Sequence, residues 1–205
     1  MILLYILGAL LGVFLLYVLL LGVCSLLVDP EKEYNKNSSF YRFLLDSATA
    51  AAIKLCRIRL HVSGMEQIPK DTKLLFVSNH RSNFDPLITW YALKKWKLAF
   101  ISKPENFKIP FFGRIIRRCC FLPIDRENPR KAIVTINRAA KLLKKQEVSI
   151  GVYPEGTRSK LGNQMLEFHG GSFRCATKSK CPIVPIALVD CYKVLDQKGS
   201  APLSV

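Results

Sequence analysis

The chain has 205 residues, half of them hydrophobic and 22% charged, which is enough for one domain with a core of its own, and it contains neither an internal repeat nor a low-complexity linker. Lys and Arg number 31 against 15 Asp and Glu, a net charge of +16, and that excess suits anionic headgroups, phosphate-bearing substrates or an acidic carrier. Seven cysteines, an odd set without a C-x-x-C pair or zinc-ligand spacing, argue against a disulfide framework and against a metal site, and read as reduced thiols.

Residues 1–28 carry no charged side chain and are rich in Leu, Val, Ile and Phe, a run longer than the roughly 20 residues that cross a bilayer. A cleaved signal would need a basic start, a shorter apolar stretch and a small-residue cleavage site, so this run reads as a membrane segment. Lys32, Lys36 and Arg42 follow it and no Lys or Arg precedes it, which favours the cytoplasmic side for the rest of the chain. In the connection over residues 29–56, Phe40, Phe43, Leu44, Ala48, Ala51 and Leu55 recur at helical spacing. The helix they predict over 40–56 lies in the membrane interface, forms a hairpin with the first segment in one leaflet, or packs on the following domain.

From residue 57 to 205, strands and helices alternate. Short apolar runs predict strands at 57–62, 74–78, 98–102, 120–124, 148–152 and 183–189, and Pro202-Leu203-Ser204-Val205 looks like the start of another. A helix is predicted from Pro86 to Leu93. The clearest helix starts at Asn128-Pro129, with Ala132, Ile133, Ile136, Ala140 and Leu143 on one stripe and Arg130, Lys131, Arg138, Lys141 and Lys144 facing out. The expected fold is α/β, a mostly parallel or mixed sheet flanked by helices, with the membrane helix in front.

Two strand ends carry chemistry. His80 and Asp85, in His80-Arg81-Ser82-Asn83-Phe84-Asp85, put an imidazole and a carboxylate just past the strand at 74–78, where active sites of α/β sheets lie. Asp85 before Pro86 is also a good helix N-cap, and one carboxylate can serve both purposes. After the strand at 148–152 comes Pro154-Glu155-Gly156-Thr157-Arg158, in which Gly156 permits a tight turn and Arg158 presents a guanidinium suited to a phosphate. His61 alternates with apolar residues as the polar side of a strand, and His169, beside two glycines, reads as a loop histidine.

His80-x4-Asp85 followed by Pro154-Glu155-Gly156-Thr157-Arg158 resembles the glycerolipid acyltransferase family, and among its members the 1-acyl-sn-glycerol-3-phosphate acyltransferases. Lys103-Pro104-Glu105, Pro110-Phe111-Phe112-Gly113 and Ile124-Asp125-Arg126 are similar to the family's middle motif, and Ile183-Val184-Pro185-Ile186-Ala187-Leu188 to its last. The family usually has glycine where this chain has Cys119-Cys120. The resemblance implies a further strand beyond residue 205, catalysis by His80 with Asp85, and substrate binding by Glu155, Gly156, Thr157 and Arg158, with Lys103 and Arg126 as further phosphate candidates.

It also implies acyl transfer to the sn-2 hydroxyl of lysophosphatidic acid, giving phosphatidic acid at a phospholipid membrane. The donor would be acyl-CoA or acyl carrier protein. A thioester is already activated, so no cofactor and no side-chain nucleophile is expected; a base near the hydroxyl and donors near the developing oxyanion suffice. Glycerol 3-phosphate or another lysophospholipid is the alternative acceptor. Phe111, Phe112 and Phe121 are a candidate surface for the acceptor's chain. A non-enzymatic binder of anionic membranes or nucleic acid is the competing class, with nucleic acid disfavoured by the membrane segment and the lack of a binding motif.

Overall fold

The computed structural model describes residues 1–160, 164–196 and 203–204. Helix α1 (Ile2–Leu26) is apolar and long enough to cross a membrane, and its residues up to Leu16 are exposed on every side. Its C-terminal turns lie against α2 (Ser39–Leu55): Tyr17 Oη meets Ser47 Oγ at 2.7 Å, and Tyr41 Oη donates to the Cys24 carbonyl at 2.9 Å. As α2 advances, its contacts move back along α1, so the two form an antiparallel helical hairpin. Of the apolar stripe predicted for α2, only Leu44 lies on the buried face. Tyr41, Arg42, Leu44, Leu45, Thr49 and Ile53 point inward, while Phe40, Phe43 and Leu55 remain more than half exposed. Of the three arrangements expected for this helix, the structure therefore has two at once: α2 packs one face on the domain and pairs with α1 as a hairpin, leaving its other face apolar and open.

After β1 (Ile58–Arg59) come β2 (Leu75–Ser78), α3 (Asp85–Ala92), β3 (Leu98–Ser102), α4 (Phe112–Arg118), β4 (Leu122–Pro123), α5 (Pro129–Lys144), β5 (Ser149–Val152), α6 (Arg174–Ser179), β6 (Ile183–Ile186), α7 (Lys193–Asp196) and β7 (Leu203–Ser204). Five strands form one sheet in the order β4-β3-β5-β2-β6, all pairings parallel, and β1 pairs in parallel with β7. Helix α2 packs against both α3 and α4, and α5 packs against α6. The central strands are buried on both faces, with Leu74, Leu75, Phe76, Leu98 and Ile150 at 1% exposure or less, as continuous apolar runs in a parallel sheet should be. Burying each large side chain contributes about 1.5–3 kcal/mol.

Several predicted elements are shorter than expected. The strand at 57–62 pairs only at Ile58–Arg59, the strand at 120–124 only at Leu122–Pro123, and the strand at 183–189 ends at Ile186. In the second case the cause is local: Cys120 has φ +63 and its N–H returns to the Arg117 carbonyl, so the chain is still turning where the strand was expected. Of the terminal strand expected at 202–205, Leu203–Ser204 pairs with β1, and Pro202 and Val205 lie outside the described residues.

In α5, Asn128 caps the helix by accepting from the Arg130 and Lys131 amides. Its buried stripe is Ile136, Ala139, Ala140, Leu142 and Leu143, with Ile133 44% exposed. Arg138, expected to face out, folds onto the connection before α2. There it bonds Asn35 and the Tyr34 carbonyl and pairs with Glu33.

Candidate active site

The strand order places the two chemical loops side by side. The chain leaving β2 crosses β5 to reach β3, whereas the chain leaving β5 crosses β2 to reach β6. The two connections therefore run in opposite directions across the same pair of strands, and it is at such a reversal that parallel sheets form ligand crevices, at the carboxyl ends of the strands. His80 leaves one strand and Glu155 the other.

Asp85 is fully buried, and its Oδ2 accepts from His80 Nδ1 at 2.8 Å, the Arg81 amide at 2.6 Å and the Ser82 amide at 2.8 Å. The sequence reading of Asp85 as an N-cap is corrected here: it is the first helical residue of α3, Phe84 occupies the cap position, and the carboxylate turns back to close the His80 loop. With Nδ1–H directed at a carboxylate, the imidazole keeps Nε2 as an acceptor, and the His80 side chain is 17% exposed.

Glu155 was expected to bind substrate, and its surroundings assign it another task. It is 2% exposed, with Oε1 accepting from the His80 amide at 2.8 Å and Oε2 from the Leu166 amide at 2.9 Å. Both oxygens are taken by backbone donors, so Glu155 ties the two loops together. The Ser159 amide completes the tie by donating to the His80 carbonyl at 2.8 Å. Gly156 turns at φ +70, and a side chain there would meet His169, 3.0 Å from the position of its Cβ. Thr157 and Arg158 are exposed at the rim, Lys103 is exposed where β3 ends, and Arg126 lies past β4.

Three contributors were not legible as functional. The Tyr153 ring stacks on His80 with centroids 4.3 Å apart and on Phe100 at 5.7 Å, fixing the imidazole plane; burial holds its phenol well above the usual range, so the ring stays neutral. Asn79 donates to the Leu188 carbonyl and accepts from the Leu188 amide, clamping the start of the His80 loop to the segment after β6. Buried Cys191 adjoins Asp85, and burial together with that carboxylate raises its thiol to about 12. The sequence signals for these are slight. Tyr153 precedes a proline at a strand end, and nothing local marks Asn79 or Cys191.

Behind Tyr153 lies a cavity of about 360 Å³ between the sheet and helices α5 and α6. Ile101, Ile124, Ile133, Ile136 and Val152 give it apolar walls, and Arg126, Arg174 and Lys178 supply cations. It does not touch His80 but begins one ring away from it. The aromatic surface expected from Phe111, Phe112 and Phe121 is divided: Phe121 is buried against Trp90 and Phe100, whereas Phe111 and Phe112 are exposed. Among the described residues no His, Cys, Asp and Glu cluster suits a metal ion.

Comparison with known proteins agrees with this architecture. The acyltransferase family profile matches residues 59–189. A chloroplastic 1-acyl-sn-glycerol-3-phosphate acyltransferase of Arabidopsis thaliana is 33% identical over 185 residues, which is 89% of this chain and 49% of that protein. The enzyme of the same name from Escherichia coli is 34% identical over 114 residues, 56% of this chain and 46% of the relative. The crystal structure of the 1-acyl-sn-glycerophosphate acyltransferase PlsC from Thermotoga maritima superposes with a TM-score of 0.65 at 28% identity, covering 80% of this chain and 65% of that one. The chain thus spans about half the length of these two curated relatives. With the profile running from β1 past β6 and holding both chemical loops, the chain belongs to the acyltransferase family.

Proposed function

We propose that this chain transfers an acyl group from a thioester to the sn-2 hydroxyl of 1-acyl-sn-glycerol 3-phosphate, forming phosphatidic acid. The observation that carries the reading is the His80–Asp85 pair, with Nδ1 held at 2.8 Å and Nε2 left to accept a proton at the crevice between β2 and β5. Nε2 removes the hydroxyl proton as the oxygen attacks the thioester carbon. The tetrahedral intermediate then collapses, breaking the carbon–sulfur bond, and the imidazolium returns the proton to the leaving thiolate. Asp85 stabilises that imidazolium without taking its proton. The donor is acyl-CoA or acyl carrier protein, and no cofactor takes part.

Arg158, on the loop next to His80, holds the acceptor's phosphate, and Lys103 is within reach of the same group from the end of β3. The apolar cavity behind Tyr153 suits the acyl chain of the thioester donor, since each buried CH₂ contributes about 0.8 kcal/mol. Reaction occurs at a phospholipid membrane, with the domain on the cytoplasmic side of α1, in keeping with Lys32 and Lys36 just after the helix.

The test is acyl transfer by purified protein with His80→Ala beside the wild type. The variant should lose on the order of 10² to 10⁴ in kcat while keeping its circular dichroism and thermal midpoint. A folded His80→Ala protein with wild-type turnover would refute the assignment.

A further inference from the structure

The turn joining the 3-10 helix Pro104–Lys108 to α4 exposes three large apolar side chains in a row of four. Ile109, Phe111 and Phe112 are 46%, 45% and 37% exposed, with Pro110 between the first two. Phe111 adopts φ 59 and ψ −58, a conformation that non-glycine residues avoid. Backbone strain beneath an exposed aromatic is not accounted for by core packing and points to a use. The turn is rigidly presented, because the Gly113 amide donates to the Ile109 carbonyl at 2.8 Å and a Cβ on Gly113 would lie 2.3 Å from the Phe107 carbonyl oxygen.

Its position relative to α1 indicates what covers it. The Phe111 ring lies against Gly22, 3.3 Å from where a Cβ would stand on that glycine. Gly22 is one turn, about 6 Å, inside the C-terminal end of α1, and beyond that end the chain becomes charged at Asp29, Glu31, Lys32 and Glu33. A ring at that level sits at the depth, about 5–10 Å, where apolar side chains of interfacial segments enter the boundary between headgroups and acyl chains. Exposed Lys108 precedes the turn, and half-buried Arg114, Arg117 and Arg118 follow it, a sign of charge that suits anionic headgroups.

We propose that the Ile109–Phe112 turn is a membrane wedge, inserting Phe111 and Phe112 into the interfacial layer of an anionic phospholipid bilayer as a second contact beside α1. The wedge follows the end of β3 by way of Lys103 and the 3-10 helix Pro104–Lys108, so its insertion would also draw the carboxyl end of that strand toward the lipid surface. The insertion itself does not depend on the acyl-transfer reading.

The experiment uses the full chain in phosphatidylcholine and phosphatidylglycerol vesicles whose acyl chains are brominated at shallow or deep positions. Phe112→Trp and Ile109→Trp are compared with wild type, whose Trp90 and Trp96 are buried, and with Val134→Trp on α5 as a position away from the wedge. The emission added at residue 112 or 109 should be blue-shifted and mostly lost to shallow bromines, while that at residue 134 is retained. Two substitutions keep the test open should one of them unfold the protein. Unquenched, water-like emission from a folded wedge variant, or equal quenching at residue 134, would overturn the proposal.

Discussion

Asp85 concentrates three hydrogen bonds on one oxygen, and that economy explains why a histidine loop of only a few residues holds its shape without regular structure. The same accounting applies at Cys119 and Cys120, where the family resemblance leads to an expectation of glycine. Cys120 sits at φ +63, in the region where a glycine is at ease, whereas Cys119 has φ −93; both side chains are fully buried. Replacing either by glycine forfeits about 1–1.5 kcal/mol of burial and adds about 0.4–1 kcal/mol of unfolded-chain entropy. Only at Cys120 is this offset, by relief of roughly 1–2 kcal/mol of left-handed strain. Cys120→Gly should therefore change stability by less than about 1 kcal/mol, and Cys119→Gly should lose roughly 1–2 kcal/mol more. Urea titration of the two variants checks this, and equal losses would show that the strain at Cys120 has no energetic weight.

At the scale of elements, α2 shows how a buried polar residue hides a helix's true inner face. Arg42 is 6% exposed, donating from Nε to Asn37 at 2.8 Å, from Nη1 to the Leu98 carbonyl at 3.0 Å and from Nη2 to the Cys119 carbonyl at 3.4 Å, with its guanidinium 4.6 Å over the Trp90 ring. Trp90 Nε1 in turn donates to Asp46 at 2.6 Å. These two charged residues break the apolar periodicity on the side that packs, so the sequence pattern reports the outer face instead. Removing the guanidinium strands two buried carbonyls, and Arg42→Ala should cost roughly 3 kcal/mol or more. A thermal midpoint unchanged in Arg42→Ala would mean that α2 is held to the sheet by other contacts.

The strands divide by the same logic. Leu98–Ser102 and Leu75–Ser78 were legible because a strand buried on both faces reads as a near-continuous apolar run. The edge strands were overread, because apolar residues continue past the last hydrogen-bonded pair. The site was half legible: His80, Asp85, Gly156 and Arg158 stand in local motifs at strand ends, but Tyr153, Asn79 and Cys191 act through partners that only the fold brings near. Glu155 was visible as a motif residue and not as a brace, since its two amide partners lie 75 and 11 residues away in the chain.

For the whole molecule, strand order is a ruler. Neighbouring strands lie about 4.8 Å apart, and the sequence β4-β3-β5-β2 sets the end of β5 one spacing from the strand that carries His80, β3 two and β4 three. Arg158 therefore starts one strand from the one that carries His80, while Arg126 starts about 14 Å away. In the proposed reaction the sn-2 hydroxyl and the phosphate of one glycerol are joined by only a few bonds, so a hydroxyl at His80 would leave its phosphate near Arg158 and away from Arg126. Arg126 lines the apolar cavity with Arg174 and Lys178 instead, a place better matched to the donor. Arg158→Ala should raise the KM of the phosphorylated acceptor by about 10- to 100-fold, the range of a charged hydrogen bond worth roughly 1.5–3 kcal/mol, with little change for the thioester. Arg126→Ala should leave the acceptor's KM nearly unchanged and act, if on either substrate, on the donor. Steady-state kinetics varying each substrate in turn separates the two, and an acceptor KM raised as much by Arg126→Ala as by Arg158→Ala would break the link between strand order and phosphate position.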